Sequence, residues 1–596
     1  MGHWPRPAES NKVAGMQVAR SFSGRHWALI AADEDCTRAL ALQREISPVL
    51  ARLLAARGVR PDEATDFLTP TLKHMLPEPL TLKAMDRAVA RTLAAVTAGE
   101  KIAVFGDYDV DGSCSAALLH DFLAAVGTAP RIYVPDRMSE GYGPNAAALL
   151  KLKDEGIGLV VTVDCGAGAV RALAAAEEAG LDAVVLDHHA TEQEPPCVAH
   201  VNPNAGGDTS GLGHLSAAGI SFLFLVALNR ALREAGWYAS RGEPDLRAGI
   251  DLVGLATVCD VVPLIGVNRA YVRGGLAKMG KLERPGLAAL ARIAGVVPPF
   301  TPYHLGFVFG PRINAGGRVG RCGLGVDLLT ARDAARAEEY ALALDTHNRE
   351  RQAIEKLILD EAVATAAREH ASAFLLVSGE GWHPGVVGIV AGRLKDRFLK
   401  PSFVAGFEGG MGRGSARSVP GVDIGGIVRA AREAGALDTG GGHAMAAGFS
   451  LRPEQLDRFR AFLTEAFAQH LPSEEVVSLG IDAVIAPSGA TISLAREIAR
   501  AGPFGAGNPE PILAVPDAQI MFADLVGQGH VRLRLMGADG ARLDAIAFRV
   551  AETALGQGLL AARGGRIHAA GRLRAEDWNG RERVQLHLDD AAPATA

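Results

Sequence analysis

The sequence predicts a multidomain α/β protein, in which a parallel-sheet domain, a long connecting helix, a second αβ block and a small terminal β-barrel follow one another. Three observations carry this. From Ile102 onward short apolar runs alternate with amphipathic helical stretches, the pattern of a parallel sheet covered by helices on both faces. Between Thr330 and His370 a charged stretch keeps helical period, with Ile354, Leu357 and Ile358 at i, i+3 and i+4. Near the end, Val531-Arg532-Leu533-Arg534-Leu535 alternates apolar and basic residues, as a half-buried strand does. At 596 residues the chain is too long for a single core.

Residues 1–40 are expected to be a variable, mobile extension, since they follow no recognisable pattern. Residues 41–100 read as helices, with Leu50, Leu53, Leu54, Ala64, Phe67 and Leu68 as apolar positions and Pro61 and Pro70 as breaks. The next domain, 101–325, opens with strands expected at Ile102–Phe105, Arg131–Val134, Leu159–Val163 and Ala183–Leu186. Helices are expected between them at Ala116–Val126, Ala146–Glu155 and Val170–Ala179, and after them at Ala217–Ala235 and Ala248–Cys259, the last closed by Asp260. Residues 326–371 form the connecting helix, 372–472 the second αβ domain and 475–592 the β-domain. In the last, Asn579-Gly580 suits a type I′ hairpin turn. The OB-fold is the commonest nucleic-acid-binding barrel of this size.

Ligands of a parallel sheet gather beyond the carboxyl ends of its strands. Gly106-Asp107-Tyr108-Asp109-Val110-Asp111-Gly112 places three carboxylates there on alternate residues, and Asp164, Asp187-His188-His189 and Asp260 end later apolar runs. Unpaired acids and imidazoles are costly to bury, and clustered carboxylates raise one another's pKa, so the set asks for a cation. Oxygen donors with one or two imidazoles suit Mn²⁺ or Mg²⁺ better than thiolate-rich zinc sites do, and two such ions are the equipment of phosphoester hydrolysis. Taken singly, each residue has a plainer reading. An Asp after a strand is commonly a helix cap. The Asp-x-Asp-x-Asp-Gly segment partly matches a calcium loop, but Cys114 to Leu119 contains no acid to complete one. Four such sites in succession exceed what capping explains.

The formal net charge of −6 does not mark a nucleic-acid binder, so any nucleic-acid groove must be a local basic track. Cys36, Cys114, Cys165, Cys197, Cys259 and Cys322 lack the spacing of a zinc ribbon or a disulfide framework. The longest uncharged apolar stretch, near Gly219 to Ala227, is far short of a membrane span, and the N-terminus lacks a signal-peptide pattern, so the expected location is the cytoplasm.

The acidic segments, with Cys259-Asp260-Val261-Val262-Pro263-Leu264, resemble the four motifs of the DHH phosphoesterases, and Gly440 to Phe449 looks like the glycine-rich motif of the DHH-associated domain. Gly310-Pro311-Arg312-Ile313-Asn314-Ala315-Gly316-Gly317-Arg318 and Gly502-Pro503-Phe504-Gly505-Ala506-Gly507-Asn508-Pro509-Glu510-Pro511 are similar to stretches of that family's single-strand-specific exonucleases. The motifs share one order from about residue 45 to the end; Val110, Gly317 and Ala416 depart from the usual residues without removing a ligand or a charged phosphate contact.

The resemblance implies a single-stranded-DNA-specific 5′→3′ exonuclease that releases 5′-mononucleotides by two-metal hydrolysis and acts in recombination and repair. It implies that Asp109, Asp111, Asp164, His188 and Asp260 hold two Mn²⁺ or Mg²⁺ ions, with Asp164 between them. Asp107 and Asp187 would orient ligands, Asp107 alternatively touching a metal, and His189 would contact the scissile phosphate. Arg137, Ser415 and Arg417 are assigned to a 5′-phosphate pocket, and Arg318 and His443 to the neighbouring backbone. Implied partners of a monomeric protein are single-stranded DNA, single-strand-binding protein and a repair helicase, with Arg572, Arg574, Arg581 and Arg583 as a docking surface for an acidic tail. Smaller-substrate relatives, such as an oligoribonuclease, a cyclic-dinucleotide phosphodiesterase or a pyrophosphatase, generally lack both the N-terminal helices and the terminal β-segment. A binding relative without activity would have lost ligands that are all present here.

Overall fold

A computed structural model describes residues 18–137, 139–191, 193–369, 372–468, 478–578 and 580–594. The first sheet contains β1 (Ile102–Gly106), β2 (Arg131–Tyr133), β3 (Leu159–Val163), β4 (Asp182–Leu186) and β5 (Ala199–Val201). All neighbours are parallel, in the order β2-β1-β3-β4-β5. Every residue of β1 and β3 is buried, because helices cover both faces of the sheet. β5 was not expected; three residues are too few to show a period.

Helix α1 (Val110–Ala125) begins at Val110 rather than at Ala116. The cause is Asp109, whose side chain accepts the Gly112 N–H at 2.9 Å and caps the helix. Part of the acidic segment is therefore the first turn of the helix, which carries Asp111. Gly112 is obligatory there, since a Cβ would lie 2.6 Å from the Asp107 carbonyl oxygen. Helices α2 (Ala217–Glu234) and α3 (Ile250–Cys259) follow, the second capped by Asp260, then α4 (Val267–Met279) and α5 (Gly310–Val319).

The connecting helix α6 spans Ala334–Ala366, with Asp333 as its N-cap. The second domain contains β6 (Leu375–Glu380), helix α7 (Val387–Phe398), β7 (Ser402–Glu408), β8 (Met411–Arg417), β9 (Thr439–His443) and β10 (Ala446–Leu451). Its sheet order is β9-β10-β8-β7-β6, and only β6 and β7 run parallel. The buried Trp382 ties this domain to α6 through a 2.9 Å bond from its indole N–H to Glu361.

The last domain is a closed five-stranded OB barrel of β11 (Leu513–Val526), β12 (His530–Met536), β13 (Arg542–Ala547), β14 (Arg566–Trp578) and β15 (Arg581–Pro593). Its order, β11-β12-β13-β15-β14, returns to β11 through a β11–β14 ladder, so no edge is left open. The turn residue Asn579 lies outside the described residues; β14 and β15, on either side of it, pair as the hairpin requires.

The extension expected over residues 1–40 is structured well before its end. Strand His26–Leu29 pairs in parallel with Ser478–Ile481, and helix Glu34–Arg44 is capped by Asp33. Four alternating residues hold too little pattern to announce a strand whose partner is so distant in sequence. Residues 1–17 lie outside the described residues. Leu40, Leu50, Leu53, Leu54 and Leu68 share one core with the barrel, whereas Met85 and Ala88 belong to the core under the first sheet. No helix among the described residues is long and apolar enough to cross a membrane.

Candidate active site

The carboxyl ends of β1, β3 and β4 and the end of α3 meet in one crevice. His188 Nε2 lies 3.3 Å from Asp164 Oδ1, 3.7 Å from Asp260 Oδ2 and 3.9 Å from Asp111 Oδ2. Among the described residues three groups of donors each lie within 4.8 Å of one another, Asp107-Asp109-Asp164, Asp111-His188-Asp260 and Asp164-His188-His189, so Asp164 and His188 link the first two. Their fit to metal ions rests on what the protein leaves unsatisfied. Asp107 Oδ1, Asp164 Oδ1, His188 Nε2 and Asp260 Oδ2 are buried with no hydrogen-bond partner, and such orphaned lone pairs, facing one another, are a ligand set. Carboxylates with an imidazole suit Mn²⁺ or Mg²⁺.

Electrostatics agree. Burial, then the charge of Asp109, pushes the Asp107 and Asp164 carboxyls well above the usual carboxylate range. Burial and Asp111 raise Asp260 to about 9, and burial with Asp109 raises Asp111 to about 7. Burial and the neighbouring His189 hold His188 down at about 4, leaving it a neutral ligand. Repulsion of this size is relieved by cations.

Asp187 differs. Its carboxylate accepts the N–H groups of Ala167, His188 and His189 and lies 2.8 Å from His189 Nδ1. Burial acts against its charge, yet the bonds from His189 outweigh it and hold the carboxyl at about 2. For His189, burial is outweighed in turn by Asp187, and the imidazole rises to about 9. Asp187 therefore orients and charges His189, with no oxygen to spare for a metal.

Asp164 itself sits at φ 59°, a left-handed conformation that a non-glycine residue adopts only when its surroundings impose it. Its N–H donates to Leu186 and its carbonyl accepts the Tyr142 hydroxyl at 2.9 Å. Asn202 and Asn204 likewise donate to the carbonyls of His189 and His188 at 2.9 and 2.7 Å. These three residues were missed in the sequence, where a polar residue bonded to a distant carbonyl leaves no spacing signature.

Across the crevice, the second domain contributes His443, Ser415 and Arg417, which meet Arg137 and Arg318 of the first domain. Arg137 and Arg417 both act on Arg318, which burial and then these neighbours lower to about 10. Arg318 donates to the Gly385 carbonyl at 3.1 Å, joining α5 to the second domain. Ser415 and Arg417 face the start of α7, where a Cβ on Gly388 would lie 3.1 Å from Ser415 Oγ and 3.3 Å from Arg417 Nη2. The structure thus gathers the acidic and histidine residues in the crevice, with Arg137 and Arg318 of the first domain and Ser415, Arg417 and His443 of the second around it.

Three family models match the chain: the DHH family N-terminal domain over residues 101–246, the DHHA1 domain over 370–469 and the RecJ OB domain over 481–590. The single-stranded-DNA-specific exonuclease RecJ of Bacillus subtilis is 33% identical over 578 residues, covering 96% of this chain and 71% of that protein. The chain belongs to the RecJ family. RecJ of Escherichia coli K12 is 34% identical over 581 residues, covering 93% of this chain and 97% of the relative. The crystal structure of Thermus thermophilus RecJ in complex with Mn²⁺ superposes with a TM-score of 0.80 at 29% identity, covering 96% of this chain and 80% of that one. The Mg²⁺ complex of that RecJ gives 0.73.

Proposed function

We propose that this protein is a metal-dependent, single-stranded-DNA-specific exonuclease that releases 5′-mononucleotides from the 5′ end in DNA recombination and repair. The observation that carries the reading is the buried set of unsatisfied carboxylate and imidazole atoms in a RecJ-family chain. Asp109, Asp111, Asp164, His188 and Asp260 hold two Mn²⁺ or Mg²⁺ ions, with Asp107 facing them. The ions, when bound, neutralise charge at the phosphate and activate the attacking water. His189, charged by Asp187, contacts a non-bridging oxygen of the scissile phosphate and stabilises the charge that grows there.

Polarity comes from the basic residues that both domains place around the crevice. Arg137, Ser415 and Arg417 bind the terminal 5′-phosphate, Arg318 and His443 the adjoining backbone. Gly388, in the first turn of α7, brings an uncapped helix N-terminus against Ser415 and Arg417, which adds to the attraction for an anion. Single-strand selectivity would follow from a cleft between the two αβ domains that threads one strand and excludes a duplex. With DNA as its substrate, the protein works in the cytoplasm. Single-strand-binding protein and a repair helicase are its partners in this reading. Arg572, Arg574, Arg581 and Arg583 are the docking surface for an acidic tail in this reading, the tail competing with the ion pairs that Arg572, Arg574 and Arg583 make with Glu510, Asp589 and Glu576.

End-labelled single-stranded DNA incubated with Mn²⁺ tests the reading. Mononucleotides released from the 5′ end, with blunt duplex left intact, are expected; attack from the 3′ end or release of long fragments would overturn it.

A further inference from the structure

The Gly502–Pro511 motif lies outside the crevice and outside the strands of the barrel, yet its loop reaches the segment that follows Asp260. The Leu264 N–H donates to the Ala506 carbonyl at 2.7 Å. A Cβ on Gly505 would lie 2.8 Å from Leu264 Cδ1, and one on Gly507 2.9 Å from Pro263 Cβ, so two glycines allow the loop to close on Pro263 and Leu264. Asn508, fully enclosed, shapes the loop: its amide donates to the carbonyls of Ala501 and Pro503 at 3.0 and 2.8 Å, and its oxygen accepts Arg57 Nε at 2.9 Å. From the other side Arg269, on α4, donates to the carbonyls of Phe67, Ala501 and Gly502.

The clamped segment is strained. Val261, directly after Asp260, sits at φ 58°, a conformation unfavourable for a β-branched residue, and Gly266 at φ 50° ends the turn. Such a path persists only where neighbours over-determine it. Asn268 holds the inner side by donating to the Pro263 carbonyl at 2.9 Å, and the barrel-domain loop holds the outer side. The aim of the Asp260 carboxylate depends on this turn.

We propose that the Gly502–Pro511 loop is a positioning element of the metal centre, through which the barrel domain sets the affinity of the ion held by Asp260. The proposal rests on the reading of Asp260 as a ligand. It is tested on the full-length protein by Mn²⁺ titration followed by electron paramagnetic resonance of the free ion, with melting temperatures recorded in parallel. Asn508→Ala, and Gly507→Ala should the first not fold, are expected to weaken Mn²⁺ binding about 10-fold, the size of effect seen when a ligand loses its support. Leu533→Ala, which cuts the barrel core without touching the loop, should leave Mn²⁺ affinity as in the wild type. Loop variants that bind Mn²⁺ normally overturn the proposal, as does an equal loss in Leu533→Ala. Asp260→Ala separates the two readings: if it binds Mn²⁺ like the wild type, the ligand assignment fails and the loop's role with it.

Discussion

At the scale of single residues, the site is built from side chains that the folded protein holds at a cost. Asp164 combines burial, a left-handed backbone, an unpartnered oxygen and repulsion from four other carboxylates. Asp164→Asn is therefore expected to raise the melting temperature of the metal-free protein while lowering exonuclease activity more than about 10³-fold. Mn²⁺ should raise the melting temperature of the wild type and do so less in the variant, since an ion stabilises only the state that binds it. Thermal scans with chelator and with Mn²⁺, beside a nuclease assay, check both signs. The five candidate ligands were picked out by resemblance, and an acidic cluster there was legible because each carboxylate or imidazole ends an apolar run. Tyr142, Asn202 and Asn204 were not: they act on carbonyls 22, 13 and 16 residues away, and hydroxyls and amides in loops have many other uses. Arg417 carries a second expectation. Burial lowers its pKa, and among the described residues its guanidinium bonds only its neighbour's carbonyl, at 2.9 Å, which leaves the rest of the fork to an anion. Arg417→Ala should cut the preference for 5′-phosphorylated over 5′-hydroxyl oligonucleotides by about 10- to 100-fold, the worth of charged hydrogen bonds of roughly 1.5–3 kcal/mol. An unchanged ratio would move the pocket elsewhere.

At the scale of elements, strands β1, β3 and β4 were readable to within about a residue, because four or five mostly apolar residues in a row between helical stretches have few other uses; β2 was also anticipated, although it is shorter and opens on a charged residue. Helix starts at Ala146, Val170 and Ala217 were readable too, and that of α1 was not. The run from Ala116 marks where α1 becomes apolar, whereas its true start is fixed by a carboxylate that is also a candidate ligand, so one residue carries two signals. The N-terminal strand was illegible for a different reason: its partner, Ser478–Ile481, is set by tertiary packing alone. The start of α7 shows how an element can build a site without a reactive side chain. Its first turn has no side-chain cap, and Gly388 lets Ser415 and Arg417 approach it. Gly388→Val is expected to displace the guanidinium and reduce the preference for a 5′-phosphate several-fold, with turnover of 5′-hydroxyl oligonucleotides changed little. Kinetics on the two substrates measure it; equal losses on both would mean that α7 only supports the fold.

At the scale of the whole molecule, a protein of net charge −6 must gather its cations where the strand lies. Beside the crevice, Arg318, Arg351, Lys356, Arg393 and Arg549, from the first domain, the connecting helix, α7 and the barrel domain, line a cavity of about 690 Å³, in which Glu355 pairs with Arg351 and Arg393. Arg549 is the barrel domain's entry to this space, and Phe548 beside it is 49% exposed, its ring edge-on to His530 and His587. An exposed phenylalanine next to a groove-lining arginine is the pairing that single-strand binding uses: a flat face for a base and a cation for the phosphate. The two contacts have separable signatures. Arg549→Ala should weaken binding to oligonucleotides long enough to reach the barrel and reduce the slope of log K against log salt by about 0.7, the share of one phosphate contact on a single strand. Phe548→Ala should weaken binding by about 1–3 kcal/mol with the slope unchanged, because stacking releases no counterions. Oligonucleotides too short to leave the crevice should bind both variants like the wild type. A salt series on long and short strands decides it: if Phe548→Ala changes the slope, or either variant weakens short and long strands alike, the strand does not cross this face of the barrel.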